Sequence, residues 1–144
     1  MPAIFTADSQ IQPRAFLKKE WLLLRAAEAL FQRVSAYTFQ ALAKAGDHIV
    51  AAETIYGGTY NYLEHTFPEH GVKTTFVDPD DLQNFEDAIQ ENTKLIFFET
   101  LGNPNSNLVD IDALAAIAHK HNIPLVADAT FTTPYLLRAF DHGV

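Results

Sequence analysis

The chain of 144 residues contains no cysteine. That excludes disulfides, thiolate metal sites and a cysteine nucleophile, and it fits a reducing compartment, so a cytoplasmic location is expected. Long apolar runs are missing too: no uncharged stretch approaches the roughly 20 residues that cross a bilayer. The N-terminus, MPAIFTADSQ, has neither the basic nor the continuous apolar part of a secretory signal. Basic residues become scarce after residue 44. Residues 1–44 carry six Lys/Arg and three Asp/Glu, whereas residues 45–144 carry four and fifteen, a balance of +3 against −11. The net charge of −8 argues against nucleic acid as a partner. There is no internal repeat and no low-complexity segment. One domain's worth of ordinary globular sequence remains, enough to bury a sizeable core.

The asymmetry suggests a basic helical segment, residues 1–44, ahead of an acidic domain, residues 45–144. Phe16, Leu17, Trp21, Leu24, Leu30, Phe31, Val34 and Phe39 recur at spacings near three and four, which predicts helix over 14–44. Pro13 suits its start and Gly46 its stop. HIVAAE (48–53) reads as a short buried strand. A glycine turn and a helix follow, ended by Pro68 and Gly71. VKTTFVD (72–78) alternates like a strand. Asp81 is placed to cap a helix over LQNFEDAIQEN. KLIFFE (94–99) is apolar enough to be buried on both faces, as central parallel strands are. Asp110 or Asp112 can cap the helix DALAAIAHKHN. PLVADA is the next strand, and the final residues, FTTPYLLRAFDHGV, read as a loop and a short helical piece. Strands alternating with helices of crossover length give an α/β fold with a mostly parallel sheet.

Residues 94–130 hold the most chemistry. Glu99, Asn103 and Pro104 follow one strand, and Asp128 lies near the end of the next. Ligands of open parallel sheets collect at the carboxyl ends of strands. A carboxylate buried there needs a cation or several hydrogen bonds, and the protonated ring nitrogen of pyridoxal phosphate is one such cation. Each feature also has an ordinary reading. Asp128 with Thr130 can be a turn cap, Asn103-Pro104 a plain turn, and YGGTY (56–60) a tight turn with a core tyrosine. His119 and His121 are two apart on a helix and share no face. His48, His65, His70 and His142 lack ligand spacing and read as structural or exposed. Asp78, Asp80 and Asp81 lack the glycine and glutamate of a calcium loop. No metal site is expected.

YGGTYN, FVDPDD, ETLGNPNSNLVDI, IAHKHNIPLVADATFTTPY and the final HG, in that order over about 41–144, resemble the Cys/Met-metabolism pyridoxal-phosphate enzymes of fold type I. Gly102-Asn103-Pro104 after Glu99-Thr100 is similar to the O-acetylhomoserine sulfhydrylase branch. The resemblance implies a partial three-layer α/β/α large domain of the PLP-dependent transferase fold, with pyridoxal 5′-phosphate as cofactor and a small amino-acid substrate. It implies that Tyr56 stacks on the cofactor ring and that Asp128 pairs with the pyridinium nitrogen. Asn103 would bond the phenolic oxygen, Thr130 would pack near the ring, and Glu99 would support the site from behind. The implied reaction belongs to transsulfuration and methionine biosynthesis: the acetate of an O-acetylated homoserine is replaced by sulfide or a thiol. Cystathionine synthase, cystathionine lyase and methionine lyase chemistry are the family's alternatives.

The chain also departs from that pattern. The family's phosphate-binding Ser-Gly turn would fall at Leu30-Phe31, residues 1 to about 35 show no match, and Ala129 stands where Asn usually follows Asp128. The lysines are Lys18, Lys19, Lys44, Lys73, Lys94 and Lys120, and none follows Asp128 as the family's Schiff-base lysine does. No residue of the chain is therefore assigned a catalytic role. A fragment inactive by itself is expected. The alternatives are a non-catalytic module that joins a full-length homologue, in a family that forms homo-oligomers, or a truncated gene product.

Overall fold

A computed structural model describes residues 34–144. The architecture below is that of the compact unit Ala36–Val144. Pro13 and the apolar positions from Phe16 to Phe31 lie outside the described residues. The helix expected over 14–44 is described only at 34–42 (α1), and it ends before Gly46. Gly46, at φ 93°, shapes the turn into the sheet, where its N–H donates to the Gly71 carbonyl at 2.8 Å. The expected stop is thus a strand-entry turn.

Strand β1 is His48–Ala52, β2 is Lys73–Val77, β3 is Thr93–Glu99 and β4 is Leu125–Asp128. They form one parallel sheet in the order β2-β1-β3-β4. Every residue of β1 is buried, as is all of β3 but Lys94, as expected of central strands covered on both faces.

The helices are shorter and less regular than the sequence suggests. After β1, α2 (Gly57–Asn61) widens over Tyr62–Thr66 and tightens to a 3₁₀ turn over Phe67–His70. Pro68 sits inside that last turn, and Gly71 at φ 80° ends it. Helix α3 covers only Gln83–Ala88, because Ile89 is already extended. Residues 90–93 are committed to the entry of β3: the Gln90 N–H donates to Thr93 Oγ1 at 2.7 Å and the His48 N–H to the Asn92 carbonyl at 2.9 Å. Asp81 holds the start of α3 through the Gln83 N–H at 3.0 Å. Helix α4 (Ile111–Lys120) is capped by Asp110, whose carboxylate accepts the Ala113 N–H at 3.1 Å. Asp112 instead meets His142 at 2.9 Å. Helix α5 (Thr133–Leu136) and a 3₁₀ turn at Ala139–His142 complete the chain. No helix among the described residues is long and apolar enough to cross a membrane.

Right-handed crossovers place these helices. From β1 the chain moves through α2 to β2 on one side, then through α3 and α4 to β3 and β4 on the other. Opposite directions of travel put α2 on one face and α3 with α4 on the other. On the α2 face Phe39 meets Phe97 edge-on at 5.0 Å and Phe67 at 6.4 Å. Phe85, Leu114 and Ala118 are fully buried on α3 and α4. Each such large side chain contributes about 1.5–3 kcal/mol by leaving water.

Candidate active site

The connections out of β1 and β3 lead to opposite sides of the sheet, which opens a crevice beyond their carboxyl ends. The two connecting loops meet there. The Asn103 N–H donates to the Thr54 carbonyl at 3.1 Å, and the Tyr56 N–H donates to Glu99 Oε1 at 2.6 Å. Glu99 is 5% exposed. Burial, with a smaller push from the charge of Asp128, raises its carboxyl to about 7 despite the Tyr56 N–H.

Asp128 ends β4 directly opposite Glu99 in the sheet register, so both side chains leave the same face. Its Oδ1 accepts the Thr130 N–H at 2.9 Å and the Thr130 hydroxyl. Its Oδ2 accepts no hydrogen bond from the described residues. The Asp128 carbonyl takes the Thr100 N–H at 3.0 Å, and the Thr100 hydroxyl meets Thr132 at 2.9 Å. Tyr56, Glu99, Asn103, Asp128 and Thr130 are thus brought to one edge.

Two members of this edge were assigned no role from the sequence. Gly102 packs so closely that a Cβ there would lie 1.9 Å from Asn107 Oδ1. Asn107 in turn donates from Nδ2 to Asp80 Oδ1 at 2.8 Å, while its buried Oδ1 has no partner. The Gly-Asn-Pro run was the available signal for the first. Nothing local marked the second.

The described lysines stand elsewhere. Lys44 precedes β1, Lys73 and Lys94 begin β2 and β3, and Lys120 ends α4. All four lie toward the amino edge. Lys94 is anchored near Asp47 at 3.8 Å, and about 16 Å of strand separates it from Glu99.

The parallel α/β/α layer thus carries at its switch-point crevice a carboxylate, Asp128, with one oxygen that accepts nothing from the described residues. A structure named as an O-acetylhomoserine (thiol)-lyase from Campylobacter jejuni, solved with N′-pyridoxyl-lysine-5′-monophosphate, superposes with a TM-score of 0.77 and 41% identity, over 78% of this chain and 28% of that one. A cystathionine gamma-lyase from Lactobacillus plantarum gives a TM-score of 0.73 and 37% identity, over 77% and 29%. The family model for Cys/Met metabolism PLP-dependent enzymes matches residues 25–144, and the chain belongs to that family. The O-acetyl-L-homoserine sulfhydrylase of Leptospira meyeri is 44% identical over 102 residues, 71% of this chain and 23% of the relative. The L-methionine gamma-lyase of Treponema denticola is 46% identical over 104 residues, 71% and 26%. The chain spans about a quarter of the length of the curated relatives it matches.

The donor set suits the family's cofactor on its ring side. Asp128 Oδ2, which accepts nothing from the described residues, suits a protonated ring nitrogen, and Tyr56, tied to Glu99 through its N–H, is an aromatic residue on the same edge.

Proposed function

We propose that this chain forms the ring-binding wall of a pyridoxal-phosphate site for sulfur amino-acid chemistry of the O-acetylhomoserine sulfhydrylase type. The observation that carries the reading is the convergence of Tyr56, Glu99 and Asp128 at the β1–β3 crevice. Bound there, pyridoxal phosphate supplies an electron sink for reactions at an amino acid's α and γ carbons. Asp128 would accept the ring N–H at Oδ2 and keep the ring cationic. Thr130 orients Asp128 by engaging its other oxygen. Tyr56 would cover the ring, and Asn103 would donate to its phenolic oxygen. Gly102-Asn103-Pro104 supports the sulfhydrylase type over lyase or synthase chemistry.

The lysines of β2, β3 and α4 stand at the far edge, so none of them reaches this crevice to hold the cofactor covalently. With no described lysine at the crevice, the chain is expected not to convert O-acetylhomoserine and sulfide. Pyridoxamine phosphate, which carries no aldehyde, tests the wall directly. Titrating it into the labelled chain should shift the amide signals of Tyr56, Asn103 and Asp128. Asp128→Asn should weaken that binding about tenfold or more, the worth of a charge-assisted hydrogen bond. Unmoved amides, or equal binding by the variant, would defeat the reading.

A second reading, a module that joins further polypeptide, is favoured by exposed apolar side chains near β4. Phe131, Tyr135, Leu136 and Phe140 are 62%, 93%, 72% and 87% exposed. Four such residues between 131 and 140 suit an interaction surface. Co-purification with a full-length homologue would support this reading, and a stable monomer that ignores one would count against it.

A further inference from the structure

Glu99 makes an unusual connection for a buried acid. Its single hydrogen bond comes from a backbone N–H 43 residues earlier, so one carboxyl oxygen ties the turn after β1 to the end of β3. The other oxygen accepts nothing from the described residues. Its neighbour across the strands is a second carboxyl, Asp128, on a strand about 4.8 Å away. Two carboxyls on adjacent strands and the same face raise the cost of ionising both.

The surroundings decide which one keeps the proton. Asp128 is only half-buried, and two donors from Thr130 meet its Oδ1. Glu99 is buried, with one donor. Among the described residues, the titratable groups toward this end of the neighbouring elements are Glu53 and Tyr56 after β1, Tyr60 on α2 and Asp128 on β4, none of them a cation, while His48 and Lys94 stand at the amino ends of β1 and β3. The described lysines lie toward the opposite edge of the sheet.

We propose that Glu99 is a positioning residue, a protonated side chain that fixes Tyr56 at the crevice and leaves Asp128 to carry the site's negative charge. The inference rests on the cofactor reading above: one anion then faces one cationic ring, so the pair is neutral. A second anion would leave that edge with net charge even when the ring is bound. The bond to Tyr56 would also hold the first turn of α2, and with it the aromatic face, in place before any ligand arrives.

The test uses the ligand-free chain, so its failure is distinct from failure of the pyridoxamine phosphate titration. Carboxyl-¹³C glutamate labelling follows Glu99 through a pH series, with assignment from Glu99→Gln. The signal should titrate with a midpoint near 7, and Asp128→Asn should move that midpoint downward. Exchange of the Tyr56 amide proton should quicken about tenfold in Glu99→Ala, the worth of one hydrogen bond. It should stay near the wild-type rate in Glu99→Gln, whose side-chain carbonyl still accepts. A midpoint in the ordinary range of about 4.3, or a Tyr56 exchange rate indifferent to Glu99→Ala, would overturn the proposal. If Glu99→Ala does not fold, the wild-type titration and its response to Asp128→Asn decide alone.

Discussion

Gly102→Ala adds one methyl group at the tightest place in the candidate site. The new Cβ would sit 1.9 Å from Asn107 Oδ1 and 2.9 Å from both Asn107 Cγ and Thr54 Oγ1. Gly102 is not among the residues with positive φ, so alanine can adopt its backbone and the cost is steric alone. Asn107 must move. Its Nδ2 bond to Asp80 at 2.8 Å and its carbonyl bond from the Gly102 N–H at 2.9 Å are then strained or lost. Overpacking of this kind costs about 1–3 kcal/mol, and each weakened hydrogen bond adds about 1 kcal/mol. A total near 3 kcal/mol is expected, a fall in Tm of roughly 10 °C for a chain this size. Urea denaturation of Gly102→Ala, Asn107→Ala and the double variant would form a thermodynamic cycle. Removing the Asn107 side chain should rescue Gly102→Ala by 1 kcal/mol or more, within the range of about 0.5–3 kcal/mol for residues in contact. A single variant within about 0.5 kcal/mol of wild type, or a cycle with no coupling, would refute the close approach.

His48 is 2% exposed and spans Thr93 and Thr75 through its two ring nitrogens at 2.8 and 2.9 Å. Burial lowers its pKa below 6.5, so the unfolded chain binds the proton first. Stability is therefore lost as pH falls through 6.5 toward the folded value. Glu99, raised to about 7, acts in the opposite sense and disfavours folding as pH rises from its unfolded value toward 7. The histidine effect should stand clear in urea titrations at pH 7.5 and 5.5 on a Glu99→Gln background, and it should vanish in Glu99→Gln/His48→Gln. Asp110→Ala removes the cap of α4 and should cost about 1 kcal/mol by the same assay, whereas Asp112→Ala, which removes no cap, should cost less.

Periodicity carried the β3 region and the strand–helix alternation because these are local. KLIFFE is apolar at every position but its ends, and it became the buried central strand. Asp110 and Asp112 could not be separated from sequence, since either lies within one turn of the helix start and only backbone geometry selects between them. The long helix over LQNFEDAIQEN failed for a tertiary reason: Thr93 and Asn92 recruit the preceding backbone into the entry of β3. His48, read as structural or exposed, is buried because β2 and β3 bring Thr75 and Thr93 to it from 27 and 45 residues away. The Tyr56–Glu99 bond spans 43 residues and leaves no local trace. Contacts of that separation come from sheet order, and sheet order is invisible to a window of a dozen residues.

Strand β1 precedes both its neighbours in the chain yet lies between them in the sheet. A ribosome emits its five wholly buried residues, HIVAA, long before either partner. Forty-seven further residues separate the end of β1 from the end of β3, roughly 2–10 s of synthesis at ordinary elongation rates. No hairpin can shelter the strand meanwhile, because every pairing in this sheet is parallel and needs a crossover first. Nascent chains of this topology pass through a window in which their most apolar strand has at least one hydrogen-bonding edge open, and it is then that a holding chaperone would matter most.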